Sequence, residues 1–252
     1  MSLSDQKILN GVSCDLNPAQ IVALCGPNGA GKSTLLACLA GEHRDCAHTI
    51  RFFDVPLAGM APHIQARHRV VLEQSPTLTA EFTLSELLEL GVPIELSSGT
   101  LATLKAEAFA AFGFNGREHE FVSSLSGGQR HRAHMARVLI QLRANQHLGH
   151  DCYLFLDEPT ASLDIKHQIL ILNLVRDLAQ QGTGVLVVLH DLNLAAAFAS
   201  TVLLMKEGRV THIGTPDDVL TSKNLSAVYD TDIFVDRTSA DQVIIQPTLR
   251  AS

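Results

Sequence analysis

The chain has 252 residues, 46% hydrophobic and 18% charged, which is the balance of a globular protein with a sizeable core and excludes a disordered or fibrous one. Its 19 Lys and Arg stand against 26 Asp and Glu, a net charge of −7 that leaves no basic excess to release counterions from nucleic acid or an anionic membrane. Trp is absent and Tyr occurs twice, so no aromatic platform for stacked bases is expected.

Two β-rich runs open the sequence, Val12 to Leu16 and, after an Asn17-Pro18 turn, Ile21 to Cys25. The second runs into Gly26-Pro27-Asn28-Gly29-Ala30-Gly31-Lys32-Ser33-Thr34, and Leu35 to Ala40 then reads as helix. Arg69 to Glu73 is another expected strand. From Ser75 to about Arg143 helical periods dominate, over Thr83–Leu90, Leu101–Phe112 and Gln129–Leu142, joined by short Gly- and Pro-marked links. Tyr153 to Leu156 is an apolar strand ending in Asp157-Glu158, followed by a helix from about Lys166 to Gln180. Val185 to Leu189 is a continuous apolar run, the pattern of a parallel strand covered on both faces. Leu192 to Ser200 reads as helix, and Val202–Met205 with Val210–Ile213 flank Glu207-Gly208 as a hairpin. A short helix and two strands are expected after Thr215. The longest apolar stretch, Gly184 to Met205, is broken by His190, Asp191 and Asn193, so it is a buried strand and helix rather than a membrane span. No signal-peptide pattern opens the sequence. Cys14, Cys25, Cys38, Cys46 and Cys152 form no C-x-x-C pair and no even framework, so they are expected to be reduced thiols.

Three motifs carry chemistry. Gly26 to Ser33 fits G-x-x-x-x-G-K-S between a strand and a helix, the context of a phosphate-binding loop. Its glycines let backbone N–H groups turn inward, Lys32 brings a mobile positive charge, and the Ser33 hydroxyl suits Mg²⁺. Asp157-Glu158 stands at the C-terminal end of an expected parallel strand, where ligands bind in open α/β sheets. Glu158, one residue on, faces the other way and suits polarising a water. Ser124-Leu125-Ser126-Gly127-Gly128-Gln129 taken alone is a helix start with Ser126 as N-cap. Its exposed helix N-terminus and hydroxyl also suit a terminal phosphate, held by another copy of the chain.

In this order and spacing the motifs resemble the ATP-binding cassette (ABC) ATPases along nearly the whole chain. The resemblance identifies a Walker A loop at Gly26–Thr34, a Q-loop at Gln74, the signature Leu125–Gln129, Walker B at Tyr153–Asp157, Glu158, a D-loop at Ser162-Leu163-Asp164 and a switch His190. It implies an α/β fold: a P-loop ATPase core with a mixed, mostly parallel sheet and an inserted helical subdomain. The single domain would divide into a nucleotide-binding core at 1–74 and 144–214, a helical signature subdomain at 75–143 and a C-terminal extension at 215–252. ATP would be held by Gly26, Pro27, Asn28, Gly29, Ala30, Gly31, Lys32, Ser33 and Thr34, with Ser33, Gln74 and Asp157 around Mg²⁺. Glu158 would serve as general base, with Gln74 and His190 completing the catalytic set. Ser126, Gly127, Gly128 and Gln129 would reach ATP on the opposite subunit, and Asp164 would signal across a homodimer.

Within the family, Glu81-Phe82-Thr83, Gly91-Val92-Pro93, His190 to Asn193 and the tail from Gly214 to Tyr229 resemble the iron–siderophore, haem and cobalamin importers. The expanded segment Gln141 to Asp151 is similar to the haem branch. The resemblance therefore implies a haem-import ATPase at the cytoplasmic face of the inner membrane. Its partners would be two permease subunits, receiving haem from a periplasmic or surface binding protein, and no nucleic acid. A siderophore or cobalamin importer is the alternative, and a soluble ATPase of iron–sulfur assembly a further one. A groove for a permease helix is expected around Ser75 to Leu84. His131 with His134, and His147 with His150, are spaced i, i+3. Neither pair is expected to ligate metal or haem, since no carboxylate or cysteine cluster completes a tetrahedral set, and a solvated helix face accounts for the first pair. Residues 1–20 hold no Phe, Tyr or Trp, so no adenine-stacking residue is assigned, and Ala19-Gln20 replaces the Gly-Glu usual in the family.

Overall fold

A computed structural model describes residues 8–74, 76, 78, 80–239 and 242–248. β1 (Ile21–Cys25) is buried along its length and leads through the Gly-rich loop into α1 (Lys32–Leu39). β2 (Arg51–Phe52) and β3 (Val55–Pro56) form a small antiparallel hairpin, followed by α2 (Pro62–His68), which starts on a proline, and β4 (Arg69–Leu72). α3 (Leu84–Glu89) opens on a capping box between Thr83 and Glu86, and α4 (Ser98–Phe112) is capped by Ser97 and stops at Gly113 in the left-handed region. α5 (Gly127–His147), β5 (Tyr153–Asp157), α6 (Ile165–Gln180), β6 (Gly184–Val188) and α7 (Leu192–Phe198) follow. The chain then forms β7 (Thr201–Lys206), β8 (Arg209–Gly214), α8 (Pro216–Val219), α9 (Ser222–Tyr229), β9 (Ile233–Arg237) and β10 (Val243–Pro247).

The chain divides into two compact units, one of residues up to 42 with those from 172 on, the other of residues 43–171. In the first, β1 lies between β6 and β7, parallel to both, with Leu24 opposite Val188 and Leu203. β8 adds antiparallel to β7. The inner strands read as unbroken apolar runs because both faces are covered. The phosphate loop after β1 and His190 after β6 therefore leave the same edge. β9 and β10 pair as a hairpin, and the Asn193 amide at the start of α7 bonds both main-chain groups of Ile245, at 2.8 and 3.3 Å.

In the second unit β4 and β5 are parallel, with Leu72 opposite Leu156, so Gln74 and Asp157 also leave one edge. α3 and α4 pack on α5 around buried Leu84, Leu87, Leu88, Phe109, Phe112, Met135 and Leu142. Full burial of each such side chain is worth about 1.5–3 kcal/mol. Arg132 fixes the end of α4 by donating to the Phe112 carbonyl at 2.9 Å, with its guanidinium over the Phe114 ring.

The structure corrects the sequence reading in three places. Val12–Leu16 is no strand: alternate residues are half-buried, but no ladder partner pairs them. α5 runs on to His147, so much of the expanded segment is further helix. The β2–β3 hairpin and α2 were not expected. Two-residue strands are too short to show a period, and α2 buries no residue and so has no apolar stripe. Ser75, Thr77 and Thr79, in the groove expected after Gln74, lie outside the described residues.

Candidate functional site

In the first unit the phosphate loop is built on close backbone approach. Gly26 adopts φ 146°, and a Cβ there would stand 2.2 Å from the Met205 carbonyl oxygen of β7, so no other residue fits without moving the sheet. The loop is closed by Ala30 N–H to the Pro27 carbonyl and by Gly208 N–H to the Ala30 carbonyl, at 3.2 and 2.9 Å. Lys32 is buried at the start of α1, and its Nζ donates to the Gly26 and Pro27 carbonyls at 2.7 and 3.0 Å. The loop thus wraps its own ammonium. Asn28, Gly29 and Ser33 are exposed, and Thr34 is half-buried. His190 is exposed beyond β6, and the next residue, Asp191, caps α7 by accepting from the Asn193 and Leu194 N–H groups.

In the second unit Gln74 and Glu158 meet: Gln74 Nε2 donates to Glu158 Oε1 at 2.9 Å. Asp157 ends β5 and is 5% exposed, whereas Glu158 has φ 51°. This left-handed turn directly after a strand swings the second carboxylate away from the path of the first. Ser126 caps α5 in a full capping box: its Oγ accepts from Gln129 N–H at 3.3 Å, and Gln129 Oε1 accepts from Ser126 N–H at 3.0 Å. Ser126 and Gly127 are exposed. Gly128 faces the D-loop, where a Cβ would lie 3.3 Å from the Ser162 carbonyl oxygen. Asp164 accepts from His167 through its main-chain N–H at 2.9 Å and its ring at 2.7 Å, and these bonds hold its carboxyl below the usual range.

Within the second unit the Gln74 amide oxygen and the buried Asp157 carboxylate are hard oxygen donors of the kind that suit Mg²⁺, since Gln74 commits its amide nitrogen, not its oxygen, to Glu158.

Two features of this unit were missed in the sequence. His131 Nε2 donates to the Pro159 carbonyl at 2.7 Å, tying the signature helix to the loop that follows Glu158. His134 is no solvated residue: it is 2% exposed, neither ring nitrogen has a hydrogen-bond partner, and burial, aided by Arg137, His131 and Arg130, pushes its pKa down to about 4. The reading of the first histidine pair as a solvated face is therefore wrong. The i, i+3 spacing of Asp164 and His167 was the one visible signal for the D-loop bond.

The ABC transporter family model matches residues 9–161. A hemin import ATP-binding protein of Mesorhizobium japonicum is 41% identical over 236 residues, covering 91% of this chain and 88% of the relative. One of Rhizobium meliloti is 40% identical, covering 90% and 87%. Among solved structures, one described as an ATP binding subunit of an ABC transporter superposes with a TM-score of 0.74 at 24% identity, covering 86% of this chain and 87% of that one. An inward-facing putative metal-chelate type ABC transporter gives 0.71 at 25% identity, covering 95% and 90%.

Proposed function

This chain belongs to the ABC transporter family, and from that premise we propose that it is the ATP-hydrolysing subunit that powers haem import through a membrane permease. The observation that carries the reading is the 41% identity, across nearly the full length of both chains, to a relative named for hemin import. The 1–74 and 144–214 segments form the nucleotide core, 75–143 the signature subdomain and 215–252 an extension of one ABC ATPase domain.

On nucleotide binding Lys32 exchanges the Gly26 and Pro27 carbonyls for phosphate oxygens, and the N–H groups of residues 26–34 cradle the phosphates. Ser33, Gln74 and Asp157 are the residues that would hold Mg²⁺, which when bound draws charge off the transferring phosphoryl group. Glu158 accepts the proton of the attacking water, and its bond from Gln74 orients it. His190 contacts the terminal phosphate. Ser126 and Gly128 close over ATP carried by the second copy of a homodimer, while Gly127 and Gln129 shape that helix end and Asp164 relays between the copies. The catalytic power is positioning and charge stabilisation, with no covalent intermediate on the protein. The homodimer docks on two permease subunits at the cytoplasmic face of the inner membrane, downstream of a periplasmic or surface haem-binding protein. No helix among the described residues is long and apolar enough to cross a membrane, consistent with a peripheral subunit.

The test is uptake in cells lacking this subunit. Haem uptake should be lost, restored by the parental chain and not by Lys32→Ala, while iron–siderophore and cobalamin uptake persist. Loss of siderophore or cobalamin uptake with haem uptake intact would assign the cargo to that alternative.

A further inference from the structure

Glu158 meets Gln74 because the backbone after β5 turns the unusual way. A residue before proline is ordinarily driven to extended backbone, yet Glu158, directly before Pro159, stands at φ 51°. Ser162, four residues on, stands at φ 59°. Conformations of this kind persist where their surroundings fix them. Inside the loop the Glu158 carbonyl accepts from Ala161 N–H at 3.0 Å. Further holds come from two helices, through residues of the same compact unit.

At the start of α5, Gly128, His131 and Arg132 are spaced i, i+3, i+4 and so share one helix face. That face lies along the loop. Gly128 stands against the Ser162 carbonyl, and the charge of Arg132 attracts the Asp164 carboxylate. His131 supplies the hold next to the base. Its Nε2 lies 2.7 Å from the Pro159 carbonyl oxygen, and since a carbonyl only accepts, Nε2 carries the proton. Pro159 is buried and has no N–H, so its carbonyl is the main-chain group through which this corner can be anchored.

From α6, Gln168 Nε2 donates to the Thr160 and Leu163 carbonyls at 3.4 and 3.1 Å, so the stretch between Glu158 and Asp164 is gripped from both helices. His131 is also five residues past Ser126, about 7.5 Å along the helix axis. The exposed serine at the tip of α5 and the donor that anchors Pro159 therefore move as one piece of helix.

We propose that His131 is a positioning residue for Glu158, supported by Gln168, so that the helix whose tip closes over the neighbour's nucleotide also sets the direction of the base in its own subunit. Displacement of α5 on closure reaches Glu158 through the bond to the adjoining Pro159 carbonyl. This role rests on the reading of Glu158 as general base and adds no step to the chemistry: His131 keeps its proton and touches no reacting atom.

The experiment measures ATP hydrolysis by the purified full chain. His131→Leu removes the donor, and kcat should fall at least about tenfold while KM and equilibrium ATP affinity stay within about threefold of the parent. His131→Gln, whose amide nitrogen can donate to the same carbonyl, should return kcat to within about threefold, and Gln168→Leu should lose only about threefold. Should His131→Leu fail to fold, His131→Asn, polar but too short to reach, takes its place. Single-turnover hydrolysis in the Glu158→Gln background separates positioning from general loosening: adding His131→Leu there should change the residual rate by less than about twofold and leave ATP-driven dimerisation intact. The proposal is overturned if His131→Leu turns over like the parent, if His131→Gln does not rescue it, if the histidine change costs its full factor again beside Glu158→Gln, or if dimerisation is lost. Parental turnover in Glu158→Gln alone is a separate result, which removes the base reading on which this role rests.

Discussion

Glu158 and Ser162 both occupy left-handed backbone, φ 51° and 59°, within five residues of each other around the loop after β5. Such conformations cost on the order of 1 kcal/mol each in non-glycine residues and persist where the surroundings fix them. At Glu158 the gain is direction, since the turned backbone lets its carboxylate meet Gln74. Glu158→Gln keeps the shape and removes the proton acceptor. Phosphate release should fall by at least about a hundredfold while ATP affinity stays within about threefold of the parent, as read by equilibrium binding. Parental turnover in this variant would take the base role from Glu158. His134 gives a stability prediction. Its pKa is about 4 in the folded chain against 6.5 when exposed, so between these values the unfolded chain binds a proton that the folded chain refuses. Stability is therefore lost as pH falls from about 6.5 to about 4, by up to about 3 kcal/mol, and changes no further on this account below that. His134→Leu should flatten the fall in a denaturant series across pH and raise stability at neutral pH by about 1–2 kcal/mol, by replacing two unbonded buried nitrogens with methyl groups.

α5 shows at the element scale why one part of the site is readable and another is not. Its start is a local pattern, Ser126 to Gln129, whose capping box closes within four residues and follows from residue types alone. The role of that serine can be separated from the cap. Ser126→Ala should lose about 1 kcal/mol of stability together with ATP hydrolysis, whereas Ser126→Asp keeps a good cap, and so the melting temperature, but sets a negative charge against the phosphate and abolishes hydrolysis. Equal melting losses in both variants would show that the cap, not the phosphate, demands a hydroxyl. The middle of the helix was opaque. Ala133, His134, Met135 and Ala136 are four consecutive buried residues, so no polar face exists there for a period to reveal. The His131 bond to Pro159 joins residues 28 positions apart, and the His68–His150 contact joins residues further apart still. Strands β1, β5 and β6 were legible because burial on both faces writes an unbroken apolar run. Val12–Leu16 shows the converse, the right alternation without a neighbour to pair with.

For the whole molecule, the decisive expectation concerns copies. If Ser126 and Gly128 act on a neighbour's nucleotide, Glu158→Gln with ATP and Mg²⁺ should move from monomer to dimer on a sizing column, and a chelator should return it to monomer. A species that stays monomeric under these conditions, even with its permease present, would contradict the shared-site mechanism. The exposed Ser126 and Gly127 leave that helix end open to such closure, and with a net charge of −7 two copies would be joined by nucleotide bridging rather than by bulk attraction. The Asn193 amide carries a different consequence. By gripping both main-chain groups of Ile245 it couples the β9–β10 hairpin to α7, whose first turn begins two residues after His190. If His190 faces the terminal phosphate as proposed, tension or crowding on the tail would reach that histidine through these two bonds, giving the far end of the polypeptide leverage over the tempo of the cycle.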